Sequence, residues 1–349
     1  MYHSFNPIYI GLKEKPIPIP EGYVISEVEG ENKIEDGLVI YEGTEPVTES
    51  NHEDAMLNRN QYVWIPVEDI NDMVMCSSNN KLSDSEENKT CNLVYKDGEN
   101  GGILKCTTPA HSGTATDLVG RLYTSIQTGN NPYAYKMDFS KIDQTYTSSN
   151  SYHEPNTVNY DADNKLYLED FKSDFTAMAK SVAKNGGFYI SRYEIGEDGN
   201  SRKGQKVLTA ASSDGGSGAT AYLGADTWYN LYKTIRDDNS NRQMIWGCQY
   251  DQVMKFIGDE AQIGHNDRKL TTTHALSGQN ELDKMKNIYD LEGNNLEWTQ
   301  EADSTSGRVH RGSFYSNSRV SIFYPASYRS AYIPTFSYDY LASRSTIYL

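Results

Sequence analysis

Leu168, Phe171, Phe175, Met178 and Val182 recur at helical spacing, and Asn185-Gly186-Gly187 follows with the stop signal of a helix end. A helix with one apolar face must lay that face on a core. Trp228, Leu231, Tyr232 and Ile235 repeat the demand behind Asp226, a residue suited to an N-cap. Tyr250, Val253, Met254 and Ile257 repeat it again ahead of Gly258. Between and before these stripes lie runs rich in β-branched and aromatic residues, Tyr23-Val24-Ile25, Gly37 to Tyr41 and Gln61 to Val67, separated by polar turns. They predict an antiparallel sheet. Core-seeking helices and antiparallel strands in one chain give the α+β class: mixed antiparallel sheets, a few amphipathic helices and much irregular loop.

The chain of 349 residues is long enough for a sizeable core. Alternating prolines in Lys15-Pro16-Ile17-Pro18-Ile19-Pro20 favour an extended backbone, so residues 1–20 are expected to form an arm suited to linking or attachment. Residues 21–349 are expected to form a single domain. Within it, a stretch at about 69–159 is mostly Asn, Ser, Asp, Thr and Gly and reads as a long polar insertion with short strands of its own.

A net charge of −16 and the lack of any Lys/Arg cluster argue against DNA or RNA as partners. No apolar stretch reaches the roughly 18 residues of a membrane span, and the first residues show no secretory signal pattern, so membrane insertion is not expected. Cys76, Cys91, Cys106 and Cys248 lack the spacing of a zinc site; one loop disulfide is compatible with them. The histidines, His274 and His310 among them, are scattered and read as surface or singly bonded groups.

Three segments, in order, resemble the formylglycine-generating-enzyme-like branch of the C-type-lectin-like fold. Gly187-Phe188-Tyr189-Ile190-Ser191-Arg192-Tyr193-Glu194 is similar to a strand carrying an aromatic, a basic residue and a buried Glu. Asn287-Ile288-Tyr289-Asp290-Leu291-Glu292-Gly293-Asn294-Asn295-Leu296-Glu297-Trp298-Thr299 resembles the family's central block, with Leu296 in place of a common Trp. Arg308-Val309-His310-Arg311-Gly312-Ser313-Phe314 resembles the strand that follows, with Ser313 in place of a second Gly, and Ser343-Arg344 stands where a closing Arg is usual. The resemblance covers about half the chain and implies that fold.

It also implies a structural calcium ion held by Asp290 and Glu297 through side chains and by Gly293 and Asn295 through backbone carbonyls, all hard oxygen donors. The alternative is that Asp290 and Glu297 satisfy turn backbone groups and an Arg. Oxidase chemistry of the resembled enzyme needs paired thiolates near the C-terminus, and no cysteine occurs from Gln249 to Leu349. No His cluster suits non-haem iron, and carboxylate pairs such as Asp290/Glu297 or Asp251/Glu260 are more often structural than catalytic. No catalytic residue is expected.

From Ala302 to Leu349 there is no Lys, Glu, Gln, Met or Trp, although these five types together make up roughly a fifth of the residues before it. That is the set unreachable when the adenines of AAC or AAT codons are randomised. The pattern resembles the variable proteins of diversity-generating retroelements, which share this lectin-like fold. The resemblance implies a variable region at about 312–341, with diversified, ligand-binding positions at Phe314, Tyr315, Asn317, Arg319, Val320, Ile322, Phe323, Tyr324, Ser330, Tyr332, Ile333, Phe336, Tyr338, Asp339 and Tyr340. Tyr and Phe give large contact area at low entropy cost, while Ser and Asn adapt their hydrogen bonds, as in antibody paratopes. A bland alternative makes Phe314, Ile322, Phe323 and Ile333 ordinary core strand residues. The implied function is capture of a protein or glycan on a cell surface, from a phage virion or a bacterial surface, with a homo-oligomer or the arm providing attachment. Two other readings stay open: an enzyme of the formylglycine-generating or non-haem-iron type, and a virion or surface structural protein whose tail is an oligomer contact.

Overall fold

A computed structural model describes residues 16–68, 92–94, 103–105, 168–209, 228–236, 242–258, 274–302, 308–315, 326, 328–332 and 338–349. The expected strands and helices are present. β1 (Tyr23–Ile25), β2 (Val39–Glu42), α1 (His52–Asn58) and β3 (Gln61–Pro66) come first. β4 (Asn92–Val94) and β5 (Ile103–Lys105), an antiparallel pair, lie in the polar stretch, the rest of which falls outside the described residues. Next are α2 (Leu168–Asn185), β6 (Gly187–Ser191), α3 (Trp228–Ile235), β7 (Arg242–Met244) and α4 (Gly247–Ile257). β8 (Lys284–Met285), β9 (Ile288–Tyr289), β10 (Leu296–Ala302), β11 (Arg308–Arg311), β12 (Arg329–Tyr332), β13 (Leu341–Ser343) and β14 (Ser345–Ile347) complete the chain. Mixed sheets with packed helices confirm the α+β class.

Glycines end the helices as the sequence predicts. Gly186 at φ 77° donates its amide to Val182, and Gly258 at φ 86° donates to Met254. The proposed cap Asp226 lies outside the described residues.

Six strands form one sheet in the order β1-β2-β3-β6-β14-β7, and four form a second in the order β12-β11-β10-β13. Alternation along β3 separates two cores. Val63 and Ile65 face a large cluster that also takes in Met178, Val182, Trp228, Trp246 and Trp298; Tyr62 and Trp64 face a smaller one with Leu38, Ile40 and Tyr189. Ile17 joins the smaller cluster, and the Tyr189 hydroxyl donates to the Pro18 carbonyl at 3.1 Å. The end of the expected arm is therefore packed on the sheet: the prolines keep it extended, and that shape lets Ile17 reach Trp64 and Tyr189. Residues 1–15 lie outside the described residues.

β13 belongs to the small sheet and β14 to the large one, so the chain crosses between sheets at a single residue, Arg344. Its buried guanidinium holds both sheets. Nε donates to Glu297 of β10 at 2.5 Å, Nη1 to the carbonyls of Ser191 and Arg192 at 3.2 Å each, and Nη2 to the carbonyl of Tyr289.

Candidate functional site

The central block is a buried turn whose polar residues allow backbone angles that most side chains resist. Asn287, Asp290 and Asn294 have φ of 62°, 61° and 56°. Asn and Asp tolerate this left-handed region because their short side chains bond locally. Asn287 Nδ2 donates to the carbonyls of Gly30 and Gly37 at 2.6 and 2.9 Å, and Asp290 Oδ2 accepts from the Gly278 amide at 2.6 Å.

Three carboxylates meet in this turn with Arg344. Glu194 Oε2 accepts from Asn294 Nδ2 at 2.5 Å and from Asn295 Nδ2 at 3.3 Å, and Glu297 pairs with Arg344. Glu194 Oε1 and Glu297 Oε2 are buried without a hydrogen-bond partner among the described residues. Burial pushes the Glu297 carboxyl up to about 7, with Arg344 holding it back, and pushes Asp290 up to about 6 against the Gly278 amide and Arg344. Glu194 is driven well above the carboxylate range by burial and by its two acidic neighbours.

Two of the four expected calcium donors, Glu297 and Asp290, each have one carboxylate oxygen bonded to another group. Calcium takes about six to eight oxygens. Here the Glu297 oxygen is bonded to a guanidinium and the Asp290 oxygen to an amide, and among the described residues no group of three or more His, Cys, Asp or Glu is placed to hold a metal ion. Arg344 supplies a cation in the middle of the turn. Asp251, the described member of the other carboxylate pair, is buried and bonded to Arg311 Nη2 at 2.7 Å.

Backbone bonds hang the tail on this block. The Tyr315 amide donates to the Asn294 carbonyl at 3.0 Å, and the Leu296 amide donates to the Tyr340 carbonyl at 2.9 Å. Between these ties the tail side chains converge. Phe314 stacks on Tyr340 with centroids 4.4 Å apart and planes at 22°, Tyr340 stacks on Tyr338 at 4.7 Å and 15°, and Tyr338 meets Tyr332 at 5.9 Å. At one end Tyr332 stacks on His310 at 4.7 Å, and His310 meets Trp298 edge-on at 6.0 Å. At the other end Phe314 meets Tyr315 edge-on at 6.4 Å, and Tyr315 lies 4.3 Å from the His274 ring.

The ladder runs from the core to the surface. Trp298 and His310 are buried, Phe314, Tyr315, Tyr332, Tyr338 and Tyr340 are half-buried, and Asp339 is exposed. Burial together with Tyr332 and Tyr338 raises the Tyr340 phenol far above its usual range, and burial with Asp339 pushes Tyr315 up to about 12. Both phenols are neutral hydrogen-bonding groups near neutral pH. Ser330 pairs with His310 across β12 and β11 and is half-buried.

Six of the expected tail positions, Phe314, Tyr315, Tyr332, Tyr338, Asp339 and Tyr340, thus come together, with Ser330 at the margin. Asn317, Arg319, Val320, Ile322, Phe323, Tyr324, Ile333 and Phe336 lie outside the described residues. Phe314 packs partly against the main core while one flank joins the ladder, so it is neither wholly scaffold nor wholly surface.

Trp298, His310 and His274 join the site although no sequence signal assigns them to it. His310 is buried between two aromatic rings, so of the two expectations for the histidines, surface or singly bonded, the surface one does not apply to it. Strand alternation could have found it, since Arg311 turns to Asp251 on α4 and its neighbour His310 must face the other way.

No family model and no curated relative matches the chain. Among solved structures it is similar to the Major Tropism Determinant M1 variant, at 14% identity over 47% of this chain and 50% of that one, with a TM-score of 0.34. It is also similar to PvdO from Pseudomonas aeruginosa, at 14% identity over 47% and 82% of the two chains with a TM-score of 0.32. Treponema denticola variable protein 1 gives 15% identity over 47% and 85%, with a TM-score of 0.31. The chain spans about half the length of the first of these. Similarity of this degree carries no argument about ligand or activity.

Proposed function

We propose that this protein is a non-enzymatic ligand-binding protein of the C-type-lectin-like kind. Its C-terminal tail presents a diversified recognition surface, displayed on a phage virion or a bacterial surface toward a molecule on another cell. One observation carries the proposal: of the expected binding positions in the codon-limited tail, Phe314, Tyr315, Tyr332, Tyr338 and Tyr340 lie together, among the described residues, in one half-buried aromatic ladder. Half-buried tyrosines on a rigid two-sheet frame supply contact area without much ordering cost, which is the chemistry of a binding surface. The frame residues beneath them, Arg344, Glu297 and Asp290, are committed to each other and to the backbone, so the tail can change without changing what holds it.

Deep sequencing of the end of this gene in its natural population tests the proposal. Substitutions confined to the tail between Ser313 and Leu341, and to adenine-derived codons, are expected. An invariant tail would return the protein to the fixed-ligand or structural readings.

A further inference from the structure

Asp339 stands apart from the ladder it borders. Its side chain is 58% exposed, yet it is held: Oδ2 accepts from the Tyr315 hydroxyl at 3.1 Å and lies 3.7 Å from His274 Nε2. The holders are themselves fixed, Tyr315 by its amide bond to the Asn294 carbonyl and by the His274 ring at 4.3 Å. Both act on one carboxylate oxygen, and Oδ1 has no partner among the described residues. An exposed carboxylate hydrogen-bonded by a positioned phenol, with an imidazole beside the same oxygen and the other oxygen open, is a preorganised acceptor, and preorganisation lowers the ordering cost of binding.

We propose that Asp339, Tyr315 and His274 form a seat for a basic side chain, arginine or lysine, presented by a protein ligand, with His274 as a positioning residue; the inference rests on reading the aromatic surface as ligand-binding. A guanidinium or ammonium carries only donors, so it complements a rim made of a carboxylate oxygen and phenol oxygens. The chain's net charge of −16 draws such groups from a distance. Lys206, whose charge also reaches His274, is paired with Glu197. A flat sugar face fits less well: Tyr340 has one ring face against Phe314 and the other against Tyr338, at 22° and 15°, which closes the platform a pyranose would need. His274 lies outside the tail, so it can orient whatever acidic or polar residue occupies position 339.

Selection of a random dodecapeptide library on the full chain tests this, with Asp339→Asn, His274→Phe and His274→Gln as comparisons and a thermal melt to verify that each variant is folded. Enriched peptides are expected to share an Arg or Lys and to bind Asp339→Asn at least about tenfold more weakly, the loss typical of one charge-assisted bond. His274→Phe keeps a ring against Tyr315 but not the polar contact and should weaken the same peptides, while His274→Gln restores much of the binding. Enriched peptides without a basic residue, or with unchanged affinity for Asp339→Asn, overturn the seat and leave the binding surface standing. A glycan array that binds the chain and loses the signal on Tyr338→Ala does the same. No capture of peptide or glycan overturns both proposals.

Discussion

Phe314 and Tyr340 stack face to face at 4.4 Å although one follows β11 and the other precedes β13, so a single ring pair joins the two ends of the tail. Both rings are half-buried against the main core. Tyr340→Ala should therefore cost about 1–3 kcal/mol, below the value for a fully buried aromatic. It should leave the fold cooperative while abolishing capture of a selected peptide. Urea unfolding and peptide titration on the same sample check both; loss of stability with retained capture would place the ring in the scaffold alone.

Arg344 is the cation at the point where the chain passes from one sheet to the other, with Glu297 at 2.5 Å and three carbonyls as its remaining partners. Removing one member of a buried pair strands the other, which must stay uncompensated or take up a proton, and costs about 3–5 kcal/mol. Arg344→Met is expected to lower the unfolding free energy in urea by that amount. Adding Glu297→Gln to Arg344→Met should recover part of the loss, because it takes away the stranded carboxylate. A double variant no better than the single one would show that the carbonyl bonds, and not the ion pair, hold the sheets together.

Much of this frame is legible in the sequence where a local rule dictates it. The stripe ending at Val182 and the stop at Gly186 follow from helical period and from the freedom of glycine at positive φ, and β3 follows from its β-branched and aromatic run. The absent set of residue types marks the tail as a whole, from Ala302 to Leu349, and does not say which of its side chains meet. What is not legible depends on distant pairing. Trp298 reaches the ladder only because β10 lies beside β11, and His274 only because Tyr315 is tied to Asn294. Nor does any local rule place Ile17 against Trp64 and Tyr189, since the alternating prolines specify an extended backbone and not what it touches.

Stability should fall as pH rises through the neutral range. The folded state binds protons on Asp290 and Glu297 more tightly than the unfolded chain does, with the groups raised to about 6 and about 7. This contribution is complete below the ordinary carboxylate range near 4 and is lost as pH climbs past those folded values. Glu31 works the other way: burial raises it, but Arg192 and His52 outweigh burial and hold it below the usual range, so its contribution is lost in acid. Melts from pH 5 to pH 8 should show a declining Tm. EDTA is expected to leave the curve unchanged at pH 7.5. A calcium-dependent rise of several degrees that flattens the decline would mean that an ion shares these carboxylates with Arg344.

Gly312 sets the direction in which the tail leaves β11. Its φ is 75°, a Cβ there would meet the Leu291 carbonyl oxygen at 2.6 Å, and its amide donates to the Tyr328 carbonyl at 3.1 Å. Gly312→Ala would force either the left-handed backbone or the central block to give way. The strain of a side chain in this region is about 1–3 kcal/mol, and the close contact with backbone adds to it. Because Phe314 and Tyr315 follow at once, relief of that strain should swing both rings away from Tyr340 and His274. The expected result is a lower Tm together with weaker peptide capture, and Gly312→Ala should lose more capture than Gly22→Ala, a glycine at φ 81° with open space around it. Equal effects at the two sites would mean that backbone conformation alone, and not the approach to Leu291, requires glycine before the tail.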